Sequence, residues 1–196
     1  MKLCVFQGTF NPIHNAHLRV AQYFCSHYSF DKILFIPAYN PPHKDCDLKF
    51  SNDRLEMVKL AVSDFPKFEV SDIEYRRGGK SYTYLTILDL YKLYKPENKI
   101  NFLIGTDAFK HIESWYEFDK LKNLVKYIVF VREDKFDISK YDNLKAKGVD
   151  FEFQPLAYED ISSTFLRGQI RKGENISRYV PEKVEDYIKE HELYKN

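Results

Sequence analysis

The chain has 196 residues, 44% of them hydrophobic and 16% aromatic, so it can bury a core and is too apolar to be disordered. A formal net charge of +1 does not favour nucleic acid as a partner, and no apolar run is long enough to span a bilayer. The three cysteines, Cys4, Cys25 and Cys46, show no close pairing, which is typical of the reducing cytoplasm. Because the first apolar run begins at residue 2, we also expect no signal peptide.

In the first half of the chain, apolar runs alternate with segments of helical periodicity. They predict strands at residues 2–6, 33–36 and 68–70, the first with Cys4 in the core, and helices at residues 15–27 and 52–63. Ser51 is expected to cap the second helix. Between the strand at 33–36 and the helix at 52–63, residues 38–50 are expected to form a proline-interrupted loop. Loops of this length usually serve a purpose.

The second half repeats the alternation. We expect strands at residues 100–104, 124–131 and 151–153, a charged loop at 136–148, and helices at 84–94, within 107–122, at 163–172 and at 181–191. The helix at 84–94 should turn Leu85, Leu88 and Tyr91 inward, and Pro181 suits a first helical position. The pattern predicts an α/β fold with a single Rossmann-like, doubly wound parallel sheet and helices on both faces. One domain should span residues 1–196, with about 160–196 as a short helical C-terminal part, and ligand sites belong at the carboxyl ends of the strands.

A polar loop follows the first strand and leads into a helix, from Gly8 to His17. Backbone N–H groups and the positive end of the helix dipole favour phosphate at such a start. His14 and His17 are three residues apart, so both imidazoles should lie on one helix face. The pattern indicates a nucleotide phosphate site beneath two histidines, and the pair alone leaves open a surface pair or half of a zinc site.

A second phosphate element is predicted at residues 161–167. Ser162, Ser163 and Thr164 are suited to cap the following helix, and their hydroxyls and amides could hold a phosphate. Arg167 lies one turn further and could reach the same group. Taken alone, three such residues also fit simple helix capping.

Residues 8–17 resemble the Thr/Ser-x-x-His or His-x-x-His loop of the nucleotidyltransferase superfamily, and residues 161–167 resemble its second nucleotide motif. Three further segments narrow the resemblance: Pro41-Pro42-His43-Lys44, Ser81-Tyr82-Thr83, and Gly105-Thr106-Asp107 followed by Trp115-Tyr116. In this order they are similar to the bacterial nicotinate-nucleotide adenylyltransferases. The resemblance extends from residue 2 to about residue 194, nearly the whole chain.

The resemblance implies that the chain transfers the adenylyl group of ATP to nicotinate mononucleotide, giving deamido-NAD and pyrophosphate in NAD biosynthesis. His14 and His17 would be catalytic, donating hydrogen bonds to the phosphates. Arg132 matches an additional ATP contact, although by itself it could be a solvated charge. The implied ATP-binding residues are Gly8, Thr9, Phe10, His14, His17, Gly105, Asp107, Arg132, Ser162, Ser163, Thr164 and Arg167.

The resemblance also implies a mononucleotide site. Its residues are His43 and Lys44 for the phosphate, Ser81, Tyr82 and Thr83 for the nicotinate carboxylate, and Trp115 and Tyr116 for the pyridine ring. A helix start suits a carboxylate, and an aromatic plane suits a cationic ring. Without the family, the same segments could be a surface loop, a helix cap and a core tryptophan.

No cluster of acidic residues with ligand spacing accompanies the nucleotide motifs, so we expect no protein-held metal and a Mg²⁺ ion that enters with ATP. Three residues depart from the family pattern: Gln7 and Ala16 stand where the family often has glycine, and Asn11 where it often has aspartate. Of two further matching positions, Arg54 is interpreted as structural, and the role of Arg77 stays undecided.

Other functions remain open at this point. They are a sister adenylyltransferase that acts on nicotinamide mononucleotide or phosphopantetheine, and a non-catalytic nucleotide sensor of the same fold. A phosphopantetheine enzyme should lack Ser81-Tyr82-Thr83 together with Trp115-Tyr116, and a sensor has no need of intact His14 and His17. The sequence does not decide whether the protein forms a homo-oligomer.

Overall fold

The structure is a computed structural model that describes residues 1–42, 48–131, 136–156 and 161–195. Within these ranges a 6-stranded, all-parallel sheet has the order β3-β2-β1-β4-β5-β6. Its strands are β1 (Leu3–Gly8), β2 (Lys32–Pro37), β3 (Phe68–Val70), β4 (Ile100–Gly105), β5 (Val125–Val131) and β6 (Phe151–Pro155). The parallel sheet expected from the sequence is confirmed.

The helices, in chain order, are α1 (Asn15–His27), α2 (Ser51–Val62), α3 (Ile73–Arg77), α4 (Thr83–Tyr94), α5 (Thr106–Phe109), α6 (Phe118–Leu121), α7 (Asp142–Ala146), α8 (Ser163–Arg171) and α9 (Glu182–Glu190). Among the described residues, none of these helices is long and apolar enough to cross a membrane.

Two hydrophobic cores lie on opposite faces of the sheet. Successive side chains of a strand point to opposite faces, so β1 sends Cys4 and Phe6 into one core and Leu3 and Val5 into the other. We call the first the α1 face, because α1, α2, α8 and α9 cover it, and the second the α4 face, which α3 to α7 cover. Helices on both faces confirm the doubly wound architecture, and Cys4 is fully buried, as expected.

The helix boundaries differ from the predictions in several places. Helix α2 begins at Ser51 itself, with Phe50 at the N-cap position, so the expected Ser51 cap is wrong. Likewise Pro181 is the N-cap of α9 and not its first helical residue. A 3-10 turn (Ile138–Tyr141) and α7 occupy the segment expected to be a loop. Helix α3 was missed because one and a half turns are too few to show a period.

The buried face of α4 also differs from the prediction. Thr86, Ile87 and Leu90 are buried, whereas Leu85 and Leu88 are only partly buried. A threonine can face the core here because its hydroxyl donates to a buried carboxylate, that of Glu74, across 2.5 Å. The spacing of apolar residues in the sequence could not predict this contact between two polar side chains.

Candidate active site

The carboxyl ends of β1 and β4 meet where the strand order reverses. From β1 the chain builds outward through β2 and β3, and then returns to place β4 against the other side of β1. In open α/β sheets such a switch point leaves a crevice in which ligands bind. Two adjoining cavities open here.

The first, which we call the histidine cavity, has a volume of about 420 Å³. Every described member of the predicted ATP set lines it: Gly8, Thr9, Phe10, His14, His17, Gly105, Asp107, Ser162, Ser163, Thr164 and Arg167. Arg132, the remaining member, lies outside the described residues. The structure therefore brings together two segments that are about 150 residues apart in sequence.

The second, which we call the tryptophan cavity, has a volume of about 600 Å³. The predicted residues that line it are Ser81, Tyr82, Thr83, Trp115 and Tyr116, and the loop prolines Pro41 and Pro42 join them. His43 and Lys44 lie outside the described residues. Five residues line both cavities and mark their junction: Gln7, Gly8, Thr9, Asp107 and Ala108.

Glycine stands at the ends of both strands at the junction. A Cβ atom on Gly8 would lie 3.0 Å from the ring of Phe10, which folds back over the strand end, and one on Gly105 would lie 3.0 Å from the ring of Phe130. Contacts this close are tighter than ordinary packing, so each ring would have to shift by a few tenths of an ångström. The two glycines therefore let aromatic rings close the floor of the histidine cavity.

The two histidines stack on each other at the start of α1. Their ring centroids are 3.7 Å apart with an interplanar angle of 25°, so the spacing of three does place both imidazoles on one face. His14 occupies the N-cap position and is buried, while His17 is partly exposed and packs edge-on against Phe10. The stacked pair thus forms part of the cavity wall.

A backbone contact sets the orientation of His17. The N–H of His14 donates to Nδ1 of His17 across 3.3 Å. A neutral imidazole that accepts at Nδ1 carries its proton on Nε2. Nε2 is therefore the nitrogen of His17 that can donate to a ligand.

One backbone N–H at the start of α1, expected from the sequence to face a phosphate, donates instead to another part of the protein. The backbone N–H of Asn15, the first residue of α1, donates to the carbonyl of Tyr179 across 2.8 Å, and the Asn15 side chain donates to the carbonyl of Arg178. These bonds anchor α1 to the segment before α9. The first N–H of the helix is therefore structural and not part of a phosphate site.

The start of α8 divides its hydroxyls between two tasks. The Ser163 hydroxyl donates to the carbonyl of Pro12 across 2.9 Å, so its proton is used to hold the loop after β1. Ser162 accepts from the N–H of Phe165 at 3.1 Å, and Thr164 accepts from Arg167 at 3.2 Å, so both keep their own protons for a ligand. Helix capping is thus real at Ser162, and it does not exclude a phosphate contact there.

Arg167 spans the two segments of the histidine cavity. Besides its contact with Thr164, it donates to the carbonyl of Asn11 across 2.8 Å. The Asn11 side chain in turn accepts from the hydroxyl of Tyr194 at 2.6 Å. The guanidinium therefore stands in the cavity wall as a fixed positive charge.

Arg54 is fully buried and holds two loops together. Its guanidinium donates to the carbonyls of Thr9 at 3.1 Å and Tyr39 at 3.0 Å, and also to that of Ala38. These carbonyls belong to the loops that follow β1 and β2. The contacts agree with the structural interpretation of Arg54.

The start of α4 is braced against the loop after β2. Ser81 and Asn40 exchange two hydrogen bonds, since the Ser81 N–H donates to the Asn40 carbonyl at 2.9 Å and the Asn40 N–H donates to the Ser81 hydroxyl at 2.8 Å. Tyr82 is at the N-cap position, and Thr83 begins the helix. Ser81 therefore acts as a brace across the loop and not as the cap.

Trp115 forms one wall of the tryptophan cavity. Its indole is partly buried and meets Phe102 edge-on, with ring centroids 6.0 Å apart. The neighbouring Tyr116 is exposed, and its ring packs against that of Tyr82 with the ring centroids 4.5 Å apart. Trp115 thus packs against the α4-face core and also lines the cavity. The sequence left open whether it is a core residue or a wall of the ligand site, and its position is compatible with both.

The sequence analysis missed a buried polar network behind the tryptophan cavity. Glu74, only 1% exposed, accepts from Gln7 at 2.6 Å, Thr86 at 2.5 Å and the N–H of Tyr39 at 3.2 Å. Arg77 joins it by donating to Thr86 at 3.0 Å, and it also pairs with Asp89 at 3.0 Å. The undecided Arg77 is therefore part of the network, which only the fold brings together.

His111 and Asp107 also belong to this region. His111 lines the tryptophan cavity and was not singled out from the sequence, because it follows no motif. Asp107 is highly exposed and lies 3.9 Å from the ammonium of Lys110. Its position between the cavities fits the expected ribose contact, which stays a prediction.

Comparison with known proteins agrees with this geometry. The Cytidylyltransferase-like family matches residues 5–169. The chain is 38% identical over 200 residues to a probable nicotinate-nucleotide adenylyltransferase of Clostridium tetani, covering 99% of each chain. It is 39% identical over 214 residues to the protein of the same name from Citrifermentans bemidjiense, covering 99% of this chain and 98% of that one.

A solved structure shares the fold. The nicotinic acid mononucleotide adenylyltransferase of Plasmodium falciparum complexed with NaAD superimposes with a TM-score of 0.79 and 22% sequence identity, covering 98% of this chain and 96% of that one. Sequence identity over the full length, together with the matching fold, assigns the relationship. The chain belongs to the nicotinate-nucleotide adenylyltransferase family.

Proposed function

We propose that the protein transfers the adenylyl group of ATP to nicotinate mononucleotide, giving deamido-NAD and pyrophosphate, in NAD biosynthesis. The observation that carries the proposal is the junction of two cavities at Gly8 and Asp107. One cavity offers histidines and an arginine for phosphates, and the other offers an aromatic wall for a ring. Two nucleotides bound in this way would have their phosphates adjacent.

The reaction needs alignment more than covalent help from the protein. An oxygen of the mononucleotide phosphate attacks the α-phosphorus of ATP, a new P–O bond forms, and the bond to pyrophosphate breaks. Both reactants are anions, so positive groups and N–H donors must lie where they meet. We assign this task to Nε2 of His17, with His14 stacked behind it.

The leaving pyrophosphate is assigned to the start of α8. The hydroxyls of Ser162 and Thr164 retain protons to donate, and Arg167 supplies a fixed charge. Ser163 acts indirectly, because its hydroxyl holds Pro12. Phosphate at a helix start also gains from the helix dipole.

The mononucleotide is assigned to the tryptophan cavity. Trp115 would face the pyridinium ring, and its electron-rich surface attracts a cationic ring. The N–H groups at the start of α4 would receive the nicotinate carboxylate. His43 and Lys44, expected near the phosphate of this substrate, remain a prediction from the sequence, as does Arg132 for ATP.

Mg²⁺ is proposed to enter with ATP. Within the described residues no group of three or more histidine, cysteine or acidic side chains could hold a metal ion. Mg²⁺ commonly binds through substrate phosphates, where it neutralises charge that builds up on the leaving group.

The experiment that tests the function is pyrophosphate release from ATP with nicotinate mononucleotide. We expect steady turnover that requires both substrates. Release with phosphopantetheine in place of the mononucleotide would instead indicate the sister enzyme. Binding of ATP without turnover with nicotinate mononucleotide, nicotinamide mononucleotide or phosphopantetheine would indicate a nucleotide sensor.

A further inference from the structure

The segment that follows α9, residues 191–195, reaches back to the loop after β1. Tyr194 in this segment is only 5% exposed, and its ring packs against that of Phe50 with the ring centroids 5.6 Å apart. Its hydroxyl donates to Oδ1 of Asn11 across 2.6 Å, although the two residues are 183 positions apart in sequence. A buried tyrosine therefore ties the segment after α9 to a loop of the histidine cavity.

A third cavity, which we call the C-terminal cavity, lies between this segment and the histidine cavity. It has a volume of about 510 Å³, and residues 191–195 line it together with Asn11 and Arg167. Asn11 and Arg167 also line the histidine cavity, so each has a cavity on both sides. Side chains placed in this way lack the close packing that fixes residues in a core. Their positions depend on hydrogen bonds instead.

The hydrogen bonds connect Tyr194 to Arg167 through Asn11. The guanidinium of Arg167 donates to the backbone carbonyl of Asn11 across 2.8 Å, and the side chain of the same asparagine accepts from Tyr194. If Asn11 shifts, the acceptor that anchors the guanidinium shifts with it. An arginine that is held in place before binding loses less side-chain entropy when a phosphate arrives. Tyr194 is thus placed to influence how firmly Arg167 holds an anion.

We propose that Tyr194 is a positioning residue of the ATP site. Through Asn11 it holds Arg167 in place for the β- and γ-phosphates of ATP, which leave as pyrophosphate. This inference rests on the proposed function, because that proposal assigns the leaving pyrophosphate to the start of α8. Tyr194 is not among the described residues that line the histidine cavity, so its effect passes through Asn11 and not through contact with ATP.

The proposal predicts an effect on some ligands and not on others. The tryptophan cavity is lined, within the described residues, by neither Asn11, Arg167 nor Tyr194. Binding of the mononucleotide should therefore not depend on Tyr194. Binding of AMP, which has no β- or γ-phosphate, should not depend on it either. ATP and inorganic pyrophosphate should both depend on it.

The test uses Tyr194→Phe, which removes the hydroxyl and retains the ring. Equilibrium binding of ATP, inorganic pyrophosphate, AMP and nicotinate mononucleotide is measured for each ligand alone, and kcat/KM is measured for ATP. We expect ATP and pyrophosphate to bind about fivefold more weakly, as for the loss of one hydrogen bond, and kcat/KM for ATP to fall by a similar factor. AMP and nicotinate mononucleotide should bind as they do to the wild type. A merely destabilised protein would not separate the ligands in this way.

A double-mutant cycle tests whether Tyr194 acts through Arg167. Arg167→Met should weaken ATP and pyrophosphate by itself, because it removes the charge. Adding Tyr194→Phe to Arg167→Met should cause no further loss, since the side chain that Tyr194 positions is then absent. Losses that simply multiply would show that Tyr194 does not act through Arg167, and would overturn the proposal.

Two further variants keep the result interpretable. Tyr187→Phe removes a hydroxyl from α9 that donates to Asp53 across 3.0 Å, and Tyr187 is not among the residues that line the described cavities, so ATP and pyrophosphate should bind to it normally. Asn11→Ala breaks the bond to Tyr194 from the other side and retains the backbone carbonyl that Arg167 uses. It repeats the test should Tyr194→Phe fail to fold, as judged by thermal unfolding.

The outcomes separate this inference from the proposed function. If Tyr194→Phe binds ATP and pyrophosphate as the wild type does, or weakens all four ligands equally, the positioning role is refuted and adenylyl transfer stands. If the wild type binds pyrophosphate but does not turn over with nicotinate mononucleotide, the proposed function is refuted, and pyrophosphate binding still decides the role of Tyr194. If the wild type binds neither ATP nor pyrophosphate, both proposals are refuted.

Discussion

The backbone N–H of His14 donates to Nδ1 of His17, while the two imidazole rings stack 3.7 Å apart. The helix start therefore sets which nitrogen of His17 carries the proton, before any substrate binds. Preorganised donors of this kind cost no rearrangement during the reaction, and they act where charge develops.

We expect His17→Ala to lower kcat by about a hundredfold or more and to leave the fold intact, because it removes a transition-state donor. The measurement is pyrophosphate release at saturating substrates. His27→Ala, an exposed histidine at the other end of α1, is the matched control and should retain the wild-type rate. A near-native rate in His17→Ala would show that His17 is not catalytic.

Activity should require a divalent cation, with Mg²⁺ the best, because the ion neutralises ATP phosphates. Exhaustive chelation should abolish turnover, and added Mg²⁺ should restore it. Metal analysis of the ATP-free protein should find less than one equivalent. Full activity in chelator would refute the requirement, and a tightly bound metal without ATP would refute its entry with the nucleotide.

Nicotinate mononucleotide should be preferred over nicotinamide mononucleotide. A carboxylate at the start of α4 gains charge-assisted hydrogen bonds, whereas an amide turns its NH₂ toward those donors or loses one contact. The decisive quantity is kcat/KM for the two mononucleotides at one ATP concentration. Equal values, or a preference for the amide, would contradict the assigned carboxylate site and leave adenylyl transfer standing.

Trp115→Ala should weaken both mononucleotides and leave their ratio nearly unchanged, because stacking does not distinguish the acid from the amide. Trp115→Phe retains a ring and should recover part of the loss. Binding of each mononucleotide to the two variants measures this directly. A large change in the ratio would mean that Trp115 also contributes to selectivity.

Arg54→Met should destabilise the protein by about 2 kcal/mol, since it leaves the buried carbonyl of Ala38 and the partly buried carbonyls of Thr9 and Tyr39 without their donor. Urea unfolding measures the effect. Lys59→Met, on an exposed position of the same helix, is the control and should change stability by about 0.5 kcal/mol or less. An equally small effect for Arg54→Met would show that Arg54 does not hold the loops.

The sequence predicted what local patterns encode. Apolar runs indicated the six strands, and the two phosphate motifs indicated which loops meet at the sheet edge. What it could not show is which polar groups satisfy one another. The three donors to Glu74 come from β1, the loop after β2 and α4, and no spacing rule relates them. For the same reason Thr86 was not recognised as an inward residue.

The bond from Ser163 to Pro12 joins residues 151 positions apart, and that from Arg167 to Asn11 joins residues 156 positions apart. The loop after β1 is synthesised well before the wall that completes its cavity. A nascent chain that has formed the sheet therefore cannot yet enclose a triphosphate. Turnover should appear only after α8 has docked, so that catalytic activity reports the docking of α8 on the loop after β1.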